Sequence, residues 1–356
     1  MSAPRVGLDA IAIRTGGGVA FLAGLLPALA RAWPEARLAL WARPEVVGLL
    51  EVPDGVAVDA VRAPRGALRV PWERHRAPRW AARRALDVFL VAADAGPTRA
   101  PCAFVHVAQN AKIYRDRAWR YRVLAHAAHA TAAGAQATVF VSEALRAVAG
   151  PVLRARAEVV IPHGVRPPPA GPFPVPLDRP YVLVVATPYA HKDLATAHDA
   201  VRRLRASGRP ECLVVVGSGG DAAVRADLEA RAAADPGSLV LAGAASAAEL
   251  EPWYAHARAL MLPSREESSG MPVAEALARG VPVVASDLPA LRETADGGAR
   301  HHAVGDVDGA ATALEAALSD PPTEASRRES GRRYGATRTW EAAARRYREV
   351  LEGALR

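Results

Sequence analysis

Two glutamates separated by seven residues, Glu267 and Glu275, frame the part of the chain with the densest chemistry. Between them lie Ser268, Ser269, Gly270, Met271 and Pro272. A Ser-Ser-Gly turn followed by proline reads as the start of a helix, because proline fits the first helical turn, where its missing N–H is not needed. Backbone N–H groups at such a start attract an anion such as a phosphate. One carboxylate can accept two hydrogen bonds from adjacent ribose hydroxyls, and a second can hold the hydroxyls of a sugar. The plainer reading is an acidic helix start stabilised by the helix dipole.

Lys192 follows an apolar run over 181–186, in a loop containing Pro188, and is one of only two lysines. A point charge there could stabilise a leaving diphosphate as a glycosidic bond breaks, or it is a solvated loop lysine. Gly16, Gly17 and Gly18 follow the first strand-like run and would let backbone approach a ligand. Their spacing is not the dinucleotide-binding pattern, and a flexible loop fits as well. His126 and His129 share a helical face without a third ligand, and no Asp, His or Cys cluster has metal-ligand spacing.

The elements that must position these residues alternate in type. β-rich runs at 5–9, 37–41, 87–92, 103–107 and 138–141 are separated by helical stretches such as 19–33 and 115–133. A proline-rich segment, 166–176, cannot form a regular element and reads as a linker. A second series follows at 181–186, 211–217, 238–242, 259–262 and 282–286, and the chain ends on a helix over 339–355. Strand–helix alternation implies parallel sheets, and 356 residues suit two domains. The expectation is two α/β domains with ligands at the carboxyl ends of their strands.

Two cysteines, Cys102 and Cys212, each in an apolar run, and no basic-then-apolar leader at the N-terminus predict a cytoplasmic protein. No uncharged stretch reads as a membrane span. The net charge of +8 divides as +11 over residues 1–170 and −3 over the rest. Trp72 and Trp80 stand among arginines in 69–84, and Trp119 does so in 112–122. Such stretches suit an anionic membrane surface, giving a peripheral location on the inner face, or they are solvated helix faces. No nucleic-acid reading module accompanies the charge, so nucleic acid is not expected as a partner.

The segment Pro263-Ser264 through Glu275-Ala276 resembles the donor-binding signature of retaining glycosyltransferases of family 4. There Pro-Ser and a short gap lead to Glu-Gly-Phe-Gly-Leu-Pro-x-x-Glu-Ala. Glu267, Gly270, Pro272, Glu275 and Ala276 match, and Ala278, Gly280, Pro282, Val283 and Val284 match the continuation. Residues 141–142 and 160–165, Lys192, the strands ending at Gly217 and Gly243, and Glu293 extend the agreement. It covers 138–300 well and the first 137 residues more loosely. Two departures matter: Ser269 replaces phenylalanine, and Thr187 stands where an arginine often precedes the lysine.

The resemblance implies an α/β protein of the GT-B fold, with two Rossmann-like domains facing across an interdomain cleft. Residues 1–166 would bind the acceptor, 167–339 the donor, and the final helix, 340–356, would cross back to the first domain. The implied reaction moves a sugar from a nucleotide diphosphate sugar to an acceptor hydroxyl with retention at the anomeric carbon. It implies Glu275 for the ribose, Glu267 for the donor sugar and Lys192 for the diphosphate. Ser268, Ser269, Gly270, Met271, Gly17, Gly18, Thr187, Gly217 and Gly243 would line the donor. His106 matches a sugar-contacting histidine, and Asn110 fits that contact equally; a buried, satisfied core histidine is the other reading of His106. Neither metal nor cofactor is expected, since the nucleotide sugar is a substrate. The acceptor would be a glycan, lipid-linked or small molecule, in polysaccharide, glycolipid or natural-product glycoside synthesis. A nucleotide-sugar epimerase or sugar phosphorylase on the same fold, or a catalytically silent partner subunit, are the alternatives. The phosphorylase would need a lysine for pyridoxal, and two lysines leave it little room.

Overall fold

Apolar strand runs separated by amphipathic helices give two parallel sheets, one in each of two units. In this computed structural model residues 3–14, 16–319 and 324–356 are described, so Thr15 lies outside the described residues. The first unit is Met1–Gly164 together with Arg338–Arg356, and the second is Val165–Thr337.

The first unit begins with β1 (Arg5–Asp9), α1 (Gly17–Ala32), β2 (Arg37–Ala42), α2 (Pro44–Val47) and β3 (Ala57–Ala60). It continues with α3 (Arg69–Arg83), β4 (Val88–Val91), β5 (Ala103–Ala108), α4 (Lys112–Arg115) and α5 (Trp119–Gly134). Then come β6 (Ala137–Phe140), α6 (Glu143–Leu153) and β7 (Glu158–Val160). The second unit runs β8 (Tyr181–Val185), α7 (Leu194–Ala206), β9 (Cys212–Val216), α8 (Ala222–Ala234), β10 (Leu239–Gly243) and α9 (Ala247–His256). It goes on through β11 (Ala259–Leu262), α10 (Met271–Ala278), β12 (Val283–Ser286), α11 (Pro289–Ala295) and β13 (Ala299–His302). It ends with α12 (Val307–Ser319) and α13 (Glu324–Thr337), after which α14 (Trp340–Ala354) belongs to the first unit.

The sheet orders are β3-β2-β1-β4-β5-β6-β7 and β10-β9-β8-β11-β12-β13. All pairings are parallel, for example Leu8 beside Leu40 and Leu90, and Leu183 beside Val214 and Leu260. Strands covered on both faces read as unbroken apolar runs, which is why the central ones were visible in sequence. Strands β3, β7 and β13 had no counterpart in that reading. Each is an edge strand, and Ala57-Val58-Asp59-Ala60 is half exposed with a polar member, so its pattern is weak. In each unit the chain starts in the middle of the sheet, winds outward, then returns to the other side. The order therefore reverses between β1 and β4 and again between β8 and β11, the places where open α/β sheets leave a crevice at the strand ends.

Helix α14 packs along α1. A Cβ on Gly24 would lie 2.0 Å from the Trp340 indole, so only glycine lets that ring settle. Phe21 meets Trp340 and Tyr347 edge-on at 6.1 and 6.0 Å. Thr339 caps the helix by accepting from Ala342 N at 3.0 Å.

The basic stretch 69–84 folds as α3, and its tryptophans turn inward, away from the surface role expected of them. Trp72 and Trp80 both stack on Trp41, with centroids 5.5 and 5.4 Å away. Trp80 is buried and donates to Asp59 Oδ2 at 2.7 Å. Trp119, at the start of α5, is 78% exposed. Among the described residues no helix is long and apolar enough to cross a membrane.

Candidate functional site

The loops at the carboxyl ends of β8, β9 and β10 are locked to one another by backbone contacts. Ala186 N donates to Val216 O at 3.0 Å, and Gly217 N donates to Gly243 O at 2.7 Å. Gly217 has φ +155°, and a Cβ there would lie 2.0 Å from Ala186 O. No side chain fits, so Gly217 brings its backbone directly against Thr187. Asp221 then fixes the loop that carries Lys192: its carboxylate accepts from Ala190 N at 2.9 Å, and its N–H donates to Pro188 O at 2.8 Å.

The loop after β11 meets this one at the point where the strand order reverses. Arg265 N donates to His191 O at 2.8 Å, and the Arg265 guanidinium lies 2.9 Å from the Asp193 carboxylate. Lys192 Nζ donates to Glu267 Oε1 at 2.6 Å, and Ser264 Oγ donates to the same oxygen at 2.8 Å. Both charged side chains are largely buried, at 20% and 10% exposed.

Gly270 leads into α10 in the left-handed conformation, φ 73°. A Cβ there would lie 2.4 Å from Leu291, so turn and packing both demand glycine. Thr294 Oγ1 donates to Ser269 O, which pins the Ser268 to Met271 backbone against α11. Pro272 takes the first helical turn, as its position in the sequence implies.

Glu275, on α10, is met by Tyr254 of α9 and by Arg279 at the end of its own helix. Tyr254 donates its phenolic hydrogen to Glu275 Oε2 at 2.7 Å. The Arg279 guanidinium sits 4.9 Å over the Tyr254 ring and donates to Glu275 O at 2.8 Å. It also pairs with Glu251, Nε to Oε2, at 2.8 Å. Burial pushes the Glu275 carboxyl up from its ordinary value, while the Tyr254 hydrogen bond and Arg279 oppose that rise. Burial and the Glu275 charge keep the Tyr254 phenol far above its usual range, so it stays a neutral donor. None of these three partners was singled out from sequence. Tyr254 lies 21 positions before Glu275, on a separate helix.

The first unit holds the remaining candidates. Gly17 opens α1 with open space around its Cβ position, and Gly18 packs against Ile13. His106 is fully buried: Nε2 contacts Asp94 O at 2.9 Å and Nδ1 contacts Thr138 Oγ1 at 3.2 Å. Burial lowers its pKa to about 4, so the ring is neutral. With both nitrogens engaged inside the sheet, it has the geometry of a buried, satisfied core histidine. Asn110 is exposed, and its side chain accepts from Lys112 N at 3.1 Å.

Three carboxyl groups missed from sequence gather at the carboxyl ends of β1 and β4. Asp94 Oδ1 accepts from Gln109 N, Asn110 N and the Tyr114 hydroxyl, and burial pushes its pKa up to about 6. Asp9 and Glu73 are buried together beside Arg69. The signal that could have found Asp9 is an acidic residue closing an otherwise apolar strand. A cavity of about 510 Å³ lies elsewhere, lined by Thr98, Cys102, Phe104, Gly134, Gln136 and Arg156 at the amino ends of β5 and β6. It opens on the opposite edge of the sheet from these groups. Among the described residues no set of three or more His, Cys, Asp or Glu is arranged to hold a metal ion.

Residues 179–320 match the family model described as glycosyl transferases group 1. Those residues lie within the second unit, which over that span is similar to glycosyl transferases group 1. The resemblance seen in the 263–276 segment is thereby supported from the comparison side. No curated protein matches the chain in sequence. Solved structures match it over nearly its whole length. Sucrose-phosphate synthase from Thermosynechococcus elongatus superposes with a TM-score of 0.81 at 19% identity, covering 98% of each chain. HepE of Anabaena, solved with UDP-glucose, gives 0.78 at 14% identity, covering 98% of this chain and 99% of that one. A glycosyltransferase from Rickettsia africae gives 0.74 at 14% identity, covering all of both. At such identities the likeness speaks to the fold, which is GT-B with two Rossmann-like domains.

Proposed function

We propose that this chain is a group 1 glycosyltransferase that moves a sugar from a nucleotide diphosphate sugar to an acceptor hydroxyl with retention of anomeric configuration. The observation that carries the reading is the Lys192–Glu267 pair at the β8/β11 reversal, with Glu275 eight residues beyond Glu267 on the helix that follows. Glu275 would accept the two ribose hydroxyls, and Glu267 the hydroxyls of the transferred sugar. An ammonium has three hydrogens to donate, so Lys192 could keep Glu267 while reaching a phosphate oxygen. As the bond from the anomeric carbon to the β-phosphate oxygen breaks, negative charge grows on the leaving diphosphate. A preorganised cation beside it lowers the barrier. Backbone amides at the start of α10 add to the same field. Neither a metal nor a cofactor is assigned a part.

Solved complexes of a structural relative hold UDP-glucose, so a uridine nucleotide heads the candidates. Melting curves with UDP, GDP, dTDP and ADP at millimolar concentration test the reading. A ligand at 100 times its Kd adds about 2.7 kcal/mol of stability, and one of the four should raise Tm by several degrees. In Glu275→Ala that rise should largely vanish, since losing a buried polar partner costs about 1–3 kcal/mol. Absence of any shift in the parent protein with all four nucleotides would reject the donor assignment.

A further inference from the structure

The carboxylate assigned to the ribose does not stand alone, and its partners come from three parts of the chain. Tyr254, 1% exposed, gives its only hydrogen to Oε2. Arg279 covers the Tyr254 ring, binds the Glu275 carbonyl and is clamped by Glu251. Arg166, just beyond the first unit, adds a further positive charge to those Glu275 faces. We propose that Tyr254 and Arg279 are positioning residues for nucleotide binding: the phenol fixes the direction of the Glu275 carboxylate, and the Arg279–Glu251 pair sets the charge it faces.

The proposal rests on the donor reading above and deepens it. A carboxylate on a helix has rotamer freedom, and two vicinal hydroxyls are gripped only if both are met in one geometry. Tyr254 removes that freedom by occupying one oxygen from the protein side, leaving the remaining lone pairs to be aimed at a ligand. Because burial disfavours the charged form of Glu275, the same hydrogen bond also helps keep it ionised. Glu251 acts in the opposite direction, as a like charge that raises the Glu275 pKa. A simple tie between α9 and α10 would need none of this balance.

The two effects have opposite signs, which makes the test sharp. Affinity for whichever of UDP, GDP, dTDP and ADP the parent binds is measured by calorimetry from pH 4.5 to 8. The parent, Tyr254→Phe and Glu251→Gln are compared, with melting temperature as a check on folding. In Tyr254→Phe the ring and its Arg279 contact remain, but the carboxylate loses its donor. Affinity at neutral pH should fall roughly ten-fold, the scale of one hydrogen bond to a charged group, and the acid-side midpoint of binding should move up. In Glu251→Gln the like charge is gone, and that midpoint should move down. Unshifted midpoints in both variants, with the parent still binding, overturn the positioning role and leave the donor reading intact. Midpoints displaced in the same direction overturn it too, because a purely structural loss acts that way. If the parent binds none of the four nucleotides, the donor reading and this inference fall together.

Discussion

The ammonium of Lys192 lies 2.6 Å from Glu267 Oε1, although 75 positions separate the two residues in the chain. The loop after β8 supplies one and the loop after β11 the other, so the contact exists only because the strand order reverses between them. In the proposed reaction Lys192 acts on charge that grows during bond breaking, not on charge already fully present. Removing it should therefore depress kcat more than KM. Lys192→Ala is expected to lose about 100-fold or more in kcat, the range for one electrostatic group aimed at developing charge. Steady-state kinetics with the identified donor check this. A variant that kept kcat while KM rose would assign Lys192 to ground-state binding instead.

A stability prediction follows from the seat of α14 on α1. A Cβ at position 24 would overlap the Trp340 ring, which is 5% exposed and packed against Phe21. Gly24→Ala should displace that ring and cost about 2 kcal/mol, in the range for overpacking a filled core. Gly17→Ala is the control, because nothing lies within 4 Å of its Cβ position; its effect should stay within about 0.5 kcal/mol. Urea unfolding of both variants decides, and equal midpoints for the two would mean that α14 does not depend on this contact.

The candidate site was legible in sequence where its logic is local. The run from Glu267 to Glu275 places both carboxylates, the glycine turn and the proline within one loop and one helix start. What stayed hidden depends on tertiary meeting. Tyr254 became a partner of Glu275 only when α9 packed beside α10, and nothing in its own neighbourhood of sequence marks it. Trp72 and Trp80 misled because arginines surround them. Their direction was set by the buried stripe Val70, Glu73, Ala77, Trp80 and Ala81, and the charge of Glu73 concealed that stripe. His106 showed the same limit: its type suggested chemistry, but the central position of β5 closed it inside the sheet. The edge strands β3, β7 and β13 escaped because one-sided pairing imposes little apolar pattern.

Asp9 and Glu73 make the first unit sensitive to pH. Asp9 and Glu73 are buried against each other and share a hydrogen bond when one is protonated, and the Arg69 guanidinium is paired with Glu73. Burial holds Asp9 well above the usual carboxylate range, with the Glu73 charge adding to it. Burial raises Glu73 to about 7, against the pull of Arg69 and Arg43. The folded protein thus binds protons that the unfolded chain releases near pH 4. The stabilisation is complete below that value and is lost as pH rises through about 7, amounting to on the order of 3 kcal/mol. Tm should accordingly fall between pH 5 and 8, and Asp9→Asn should flatten the decline. An unchanged slope in that variant would show that the pair is not its source.

The first unit carries a basic face on which a few apolar side chains stay exposed. With Trp80 buried and Trp72 packed against Trp41, the start of α5 is a surface that carries both apolar and basic groups. Trp119 and Val123 are 78% and 59% exposed there. Arg115, Arg117, Arg120 and Arg122 are exposed around them. An indole among arginines suits the headgroup layer of an anionic bilayer, where each basic side chain adds about 1 kcal/mol and the attraction decays within a Debye length. The whole protein should therefore pellet with vesicles containing phosphatidylserine at low salt and remain in solution with neutral ones. Raising salt should release it, and Trp119→Ala should weaken the association several-fold. Retention of full binding by Trp119→Ala would move the contact to another face. Equal, negligible pelleting with both kinds of vesicle would remove the membrane from the account and leave the arginines as the solvated surface of an enzyme with a soluble acceptor.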